Sequence, residues 1–392
     1  MKLRPLLSAL GFLFLAAPAA VPAQEATPAV VPAPVPVPAP PEVPVRGYIL
    51  VDFHSGHVLA ENNADVRMEP ASITKLMTAY AVFKELAAGS IAMDQPVRIS
   101  ERAWRIGMQG SRMFVEPRMR PSVEELLQGM IIQSGNDASV ALAEHVAGSE
   151  QAFVDTMNRY AAELGMNQTH FRNTTGLPEP DHFSSARDIA RLARALITEF
   201  PEFYRWYSVR EYTFNDITQQ NRNPLLRRDP TADGIKTGWT ESAGYCLAAS
   251  AERGDMRLIS VVLGAETDRA RADASEALLN FGFRFFETHR LYAAGEPIST
   301  ARVWKGSIED VGLGLREDLW ITVPKGSYDQ LSASVDLQPS LLAPIFASDP
   351  VGALRLELAG ALLEERPVFP LSDVPEGTLW QQLSDSVLMW FE

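Results

Sequence analysis

The sequence predicts an α+β protein, with a helical cluster set against an antiparallel sheet and a smaller, mostly β domain after it. Three observations predict this. Apolar residues recur at helical spacing in several segments between residues 72 and 198. The stretch "DGIKTGWTESAGYCLAASAERGDMRLISVVLGA" then reads as three strands, with a tight turn at Arg253-Gly254-Asp255. After His289 the composition becomes β-like, in "LWITVP", "LSASVDL" and the cleanly alternating "GALRLELAG".

Taken in order, residues 1–23 read as a secretory signal: two basic residues, an apolar run broken by Pro18, and a small-residue end near Ala23. No later segment approaches the length of a spanning helix, so the mature chain is expected outside the cytoplasm. Residues 24–45 are a Pro/Ala/Val tract, expected to be an extended, polyproline-like tether. The globular part begins near Arg46, with "GYILVDFHSGHVLAENN" as a hairpin turning at Ser55-Gly56. A helix opens at Ser72 and stops at Gly89, carrying Leu76, Tyr80 and Phe83 on one face. Ser122 and Glu125 form a capping box ahead of the next helix. Further helices are expected over 138–146, 150–164, 186–198 and, after the three strands, 269–288. This gives a larger domain over 46–290 and a β-rich domain over 291–375. In the tail, 376–392, Trp380, Leu383, Val387 and Trp390 fall at helical spacing. Two readings of this helix stand: one lies on a membrane surface, the other docks on the second domain. Asp385 and Glu392, with no basic residue in the segment, weigh against attraction to anionic lipid.

The composition excludes some classes of function. The formal net charge of −14, which becomes −16 without Lys2 and Arg4, argues against nucleic-acid binding. Cys246, the single cysteine, leaves no disulfide within the chain and is expected as a buried, inert thiol. Among the six histidines there is no H-E-x-x-H, "HSGH" at 54–57 is expected on the surface, and no metal or cofactor is implied. Of 35 basic residues only six are lysine. A chain that writes arginine almost everywhere keeps lysine where a deprotonable amine is useful, because arginine does not lose its proton.

One such lysine is Lys75, three residues after Ser72. A serine cap usually has Glu or Gln at that position, and a cation there meets the positive end of the helix dipole. The spacing makes chemical sense instead. Residues three apart in a first turn are neighbours, and a serine hydroxyl needs an adjacent base to become a nucleophile. A desolvated lysine near positive potential can serve as that base. Alone, the S-x-x-K spacing is weak. Downstream, "QSGND" places Ser134 and Asn136 in the break between two helices, and "DGIKTGWT" places Lys236, Thr237 and Gly238 on a strand. The three motifs in this order make a strong signal.

With these motifs, and with "YILVDFHSGHVLAENNADVRMEPASITKLMTAY", "NRNPLL" and "KTGWTESAGY", the chain resembles the penicillin-binding D-alanyl-D-alanine carboxypeptidases, relatives of the serine β-lactamases. The resemblance covers residues 47–392 and implies a β-lactamase-like larger domain. It implies that Ser72 attacks the carbonyl between the two terminal D-alanines of a peptidoglycan stem peptide, that Lys75 takes its proton, and that Ser134 relays a proton to the departing amine. Asn136 would bind the substrate amide and orient Lys75. Lys236 would add positive potential, and Thr237 beside Gly238 would hold the terminal carboxylate with Arg222 and Arg271. Backbone N–H groups of Ser72 and Trp239 would form the oxyanion hole. The resemblance further implies β-lactam antibiotics as inhibitors and a periplasmic place, peripheral on the inner membrane.

Two departures stand out: Trp239 where a histidine often follows K-T-G, and Glu266 in "LGAET" where some members carry arginine. Three other readings use the same chemistry or discard it. A D,D-endopeptidase would use the same residues. A β-lactamase would need a deacylating glutamate, for which "ELGMN" offers Glu163, read here as a solvated helix residue. A catalytically idle muropeptide-binding protein is opposed by the intact Ser72, Lys75, Ser134 and Lys236.

Overall fold

In the computed structural model, which describes residues 36–390, the chain first turns back on itself through β1 (Gly47–Asp52) and β2 (Val58–Asn62). Six helices follow, α1 (Lys75–Ala87), α2 (Glu101–Gly107), α3 (Val123–Gln133), α4 (Asn136–Ala147), α5 (Glu150–Glu163) and α6 (Ala186–Glu199), of which the short α2, capped by Ser100, is not expected from the sequence. Short helices α7 (Pro201–Tyr204) and α8 (Leu225–Arg228) flank a small hairpin of β3 (Glu211–Phe214) and β4 (Ile217–Gln220). Then come β5 (Ala232–Thr240), β6 (Gly244–Arg253), β7 (Met256–Ala265) and α9 (Asp268–Phe285). The Ser122–Glu125 capping box is present in both directions, and Ser149, Ser185 and Thr267 cap α5, α6 and α9.

One expectation needs correcting at the nucleophile. Ser72 does not cap α1. It lies in a 3-10 turn over Ala71–Thr74, and the α-helix proper begins at Lys75.

β1 pairs with β7, so the N-terminal hairpin completes a five-stranded antiparallel sheet in the order β2-β1-β7-β6-β5. Helices cover both faces. That is why "AGYCLAAS" and "LISVVLGA" are nearly continuous apolar runs rather than alternating ones. One face packs against the cluster around α1 with Leu76, Tyr80 and Phe83, the other against α9 with Leu278 and Phe281. Cys246 is fully buried in this sheet. β5 is the edge strand, and its free side faces the turn that carries Ser72.

The chain passes from helix to strand earlier than expected. The helix predicted over 269–288 ends at Phe285, and Phe286 opens β8 (Phe286–Tyr292). Its alternating burial marks a strand pairing with β11 (Leu319–Pro324). β9 (Ser299–Trp304), β10 (Asp310–Gly314), β12 (Leu331–Leu337), β13 (Leu341–Leu342), β14 (Gly352–Leu358) and β15 (Ala361–Pro370) form a second sheet over a core that includes Val303, Leu313, Leu354 and Val368.

The "HSGH" turn is also different from expectation, because the second domain packs on it. Asp52 is fully buried and accepts from Ser55 Oγ at 2.9 Å and Thr288 Oγ1 at 2.7 Å, while Ser55 Oγ meets Thr322 Oγ1 at 2.6 Å. Trp320 stacks on His54 at 4.1 Å, so His54 is half-buried while His57 is exposed.

The secretory signal, residues 1–23, lies outside the described residues, as does the tract up to residue 35. From residue 36 the tract is not a free tether: Val37, Val43 and Val45 pack against the α9-side cluster. At the other end, α10 (Leu379–Leu388) is held by its polar side, where Asp385 Oδ2 accepts the Lys305 N–H at 2.5 Å. Its apolar stripe is left uncovered by the described residues, with Trp380 81% and Leu383 62% exposed.

Candidate active site

The three motifs converge from three elements. The turn at Ala71–Thr74 delivers Ser72, and the first residue of α1 delivers Lys75. The break between α3 and α4 delivers Ser134 and Asn136, and edge strand β5 delivers Lys236 and Thr237. Ser72, Ser134, Asn136 and Thr237 line one cleft of about 540 Å³, together with Gln109, Leu177, Arg222, Trp239, Glu241 and Arg271, while Lys75 and Lys236 are buried behind them.

Two glycines allow the close approach. A side chain at Gly238 would sit 3.0 Å from the Ser72 nitrogen, so only a bare backbone lets β5 pass the nucleophile. At Gly176, with φ +81°, a Cβ would fall 1.8 Å from the Ala71 carbonyl. The nucleophile turn is thus pressed between β5 and the 173–177 loop. Ala71 and Ser134 both hold positive φ, 48° and 67°, conformations that non-glycine residues enter at a cost and that cluster at functional sites.

Lys75 is 2% exposed. Its Nζ lies 3.0 Å from Ser72 Oγ, 2.8 Å from Asn136 Oδ1 and 2.7 Å from the Thr175 carbonyl. Burial pulls its pKa from 10.5 down to about 7; the Asp137 carboxylate opposes this and Arg222 assists it. A neutral amine has two N–H groups and one lone pair. Thr175 O and Asn136 Oδ1 can only accept, so they take the two N–H groups and leave the lone pair facing the Ser72 hydroxyl. The arrangement is that of a base aimed at a nucleophile.

Lys236 is buried, with Nζ donating to the Thr237 carbonyl at 3.0 Å. Burial holds its pKa well below the ordinary lysine range, and repulsion from Lys75, Arg222 and Arg271 adds to this. Ser134 Oγ is buried and makes no hydrogen bond among the described residues, so it is free to serve a ligand. The two arginines differ. Arg222 is exposed in the cleft, with no hydrogen bond or ion pair among the described residues. Arg271 is 5% exposed and partly engaged: it donates to the Gly238 carbonyl at 2.9 Å and the Cys246 carbonyl at 3.2 Å, and pairs with Asp268, while its Nε has no partner among the described residues. It braces β5 from behind. Trp239 is 56% exposed at the cleft, with Tyr245 at 5.8 Å behind it. Glu163 is exposed on α5 beside Arg159, outside the residues that line the cleft.

Several supports escaped the sequence reading. Asp137 accepts from the backbone N–H groups of Met113, Phe114, Val115 and Ala138, at 3.0–3.3 Å, and so pins the loop that brings Gln109 and Ser111 to the cleft. It stood beside Asn136 in "QSGND", where its type and place were the available signal. His182 meets Thr74 Oγ1 at 2.8 Å and accepts the Arg172 N–H at 3.1 Å, which braces the nucleophile turn; burial lowers its pKa to about 4. Nothing local in the sequence joins residues 74 and 182. The Thr175 carbonyl is a backbone group and leaves no trace in residue type.

The chain is similar to known proteins over most of its length. The peptidase family described as D-alanyl-D-alanine carboxypeptidase matches residues 35–267, and the family described as penicillin-binding protein 5, C-terminal domain, matches residues 286–376. The chain is 45% identical to D-alanyl-D-alanine carboxypeptidase DacC of Escherichia coli, over 99% of this chain and 96% of that protein. The crystal structure of penicillin-binding protein 5 from Haemophilus influenzae superposes with a TM-score of 0.84 at 41% identity, covering 86% of this chain and 99% of that one. Penicillin-binding protein D2 of Listeria monocytogenes, solved in its ampicillin-bound form, is similar over 62% of this chain and 98% of its own, with a TM-score of 0.57 and 30% identity.

Proposed function

The chain belongs to the D-alanyl-D-alanine carboxypeptidase family, and from that premise we propose how its own residues divide the work. The protein is a serine D-Ala-D-Ala carboxypeptidase of the penicillin-binding type, acting on peptidoglycan stem peptides and acylated by β-lactams. In our reading Lys75, neutral, takes the Ser72 proton as Oγ attacks the carbonyl carbon between the two terminal D-alanines. The charge that develops on the carbonyl oxygen is met by the backbone N–H groups of Ser72 and Trp239. Ser134 passes the proton from Lys75 to the departing amine, the C–N bond breaks, and D-alanine leaves. Water then hydrolyses the Ser72 ester. Thr237 and Arg222 hold the terminal carboxylate, Asn136 the peptide amide, and Arg271 serves by keeping Gly238 in place. The observation that carries this is the placement of Lys75 Nζ between two pure acceptors and Ser72 Oγ.

The test is D-alanine release from a muropeptide ending in D-Ala-D-Ala. Release that disappears in Ser72→Ala supports the assignment, and no release from the intact protein removes it.

We also propose export, with residues 1–23 removed, so that the mature N-terminus lies near Gln24; an N-terminal sequence starting at Met1 in the cell-envelope fraction would refute that. Among the described residues no helix is long and apolar enough to cross a membrane. We propose that α10 instead lies on the membrane surface by its exposed stripe of Leu379, Trp380, Leu383 and Val387. Flotation of the full chain with liposomes, lost on truncation before Leu379, supports this, whereas equal flotation of the truncated chain refutes it.

A further inference from the structure

The cleft is electrostatically lopsided. At the Thr237 end stands Arg222, unpaired among the described residues and close to Lys236. At the opposite end Glu241 is exposed and lines the cleft, with no hydrogen bond or ion pair among the described residues. Nearby acids are already engaged: Glu69 accepts from Ser242 Oγ, and Asp268 pairs with Arg271. Between the two stands Trp239, an indole more than half exposed at the cleft, with Tyr245 behind it. Thr237, Trp239 and Glu241 follow one another at every second position along β5 and into the turn after it.

We propose that Glu241, with Trp239, forms a subsite for the side-chain ammonium of a diamino acid placed immediately before D-Ala-D-Ala in the stem peptide. The proposal rests on the carboxypeptidase reading, which fixes the direction of the substrate. With the scissile carbonyl at Ser72 and the Trp239 N–H, and the terminal carboxylate on the Thr237 side, the upstream peptide leaves past Trp239 towards Thr240 and Glu241.

The lengths agree. Thr237 and Glu241 are four positions apart, at most roughly 13 Å at the rise of a strand, with Glu241 just past the end of β5. An extended substrate needs about 7 Å to go two residues upstream from the terminal alanine, which sets that residue level with Trp239, and a four-carbon side chain and its amine reach roughly 6 Å from its backbone. The chemistry agrees as well. A long amine can lay its methylenes on an indole face while its ammonium lies near the ring and a carboxylate.

Two substrates that differ in one charge test this: Nα-acetyl-L-Lys-D-Ala-D-Ala, with a free side-chain amine, and its Nα,Nε-diacetyl counterpart. An exposed ion pair with a cation–π contact corresponds to a preference of about three- to tenfold in kcat/KM for the free amine. That ratio should fall towards one in Glu241→Gln and below one in Glu241→Lys. A ratio measured on a single preparation does not depend on the fraction of folded protein, so loss of folding cannot imitate the effect. A ratio of one in the unaltered protein, or one unchanged by Glu241→Gln, overturns the subsite while leaving the carboxypeptidase intact. Absence of D-alanine release from both peptides overturns the carboxypeptidase reading and the subsite with it.

Discussion

Lys75 must be unprotonated to accept the Ser72 proton, so pH is a direct perturbation of the base. With its pKa at about 7, the neutral fraction is about nine-tenths at pH 8, about one-tenth at pH 6 and about one-hundredth at pH 5. The second-order rate of acylation by a fluorescent penicillin should therefore climb about tenfold between pH 5 and pH 6 and level off above pH 8. An unperturbed lysine, with its midpoint at 10.5, would still be climbing at pH 9. The midpoint should also respond to charge. Arg222 helps to hold the Lys75 pKa down, so Arg222→Ala should move the midpoint to higher pH. Loss of the carboxylate anchor would lower the plateau as well, but a change in plateau cannot move a midpoint. A profile flat from pH 5 to pH 8, or one that rises without a plateau to pH 10, would refute the assignment of Lys75 as the base.

Two further perturbations address the supports of the site. In Asp137→Asn, whichever way the amide turns, its NH₂ faces at least two of the backbone N–H groups that the carboxylate now accepts, costing about 2–4 kcal/mol. The expected outcome is a Tm lower by roughly 5–15 °C, together with an acylation midpoint below that of the parent, since Asp137 raises the Lys75 pKa; an unchanged Tm would mean that the loop is not held this way. His182 has its folded pKa lowered from 6.5 to about 4, so between those values the unfolded chain binds the proton that the folded chain refuses. Stability is then complete above pH 6.5 and falls as pH drops towards 4, by on the order of 2 kcal/mol at pH 4.5. Urea unfolding at pH 7 and pH 4.5 should show that loss in the parent and its absence in His182→Asn; equal losses in both would place the acid sensitivity elsewhere.

What the sequence disclosed, and what it withheld, follows from the range of each interaction. Ser72 and Lys75 are three residues apart, and Ser122 and Glu125 likewise, so one helical turn brings them together and spacing suffices to read them. The orientation of Lys75 is different. It depends on Asn136 and on a carbonyl at residue 175, 100 positions away and invisible in residue type. The Thr74–His182 contact spans 108 positions for the same reason. Arg271 shows the converse limit: its residue type suggests carboxylate binding, but does not disclose that part of its guanidinium holds the Gly238 and Cys246 carbonyls and Asp268. The turn at His54 looked like a surface because the second domain that covers it begins more than two hundred residues later. The end of α9 was misread because "FFETHR" keeps apolar residues at positions that suit both a last helical turn and the opening of β8.

The most direct test of the central claim, a Ser72 ester formed with Lys75 as base, is to incubate the protein with benzylpenicillin and locate the adduct by digestion and mass spectrometry. The account predicts one long-lived adduct, on the peptide that contains Ser72, absent in Ser72→Ala and formed far more slowly at pH 5 than at pH 8. An adduct on another residue, rapid release of hydrolysed penicillin without an adduct, or no reaction at all would contradict it.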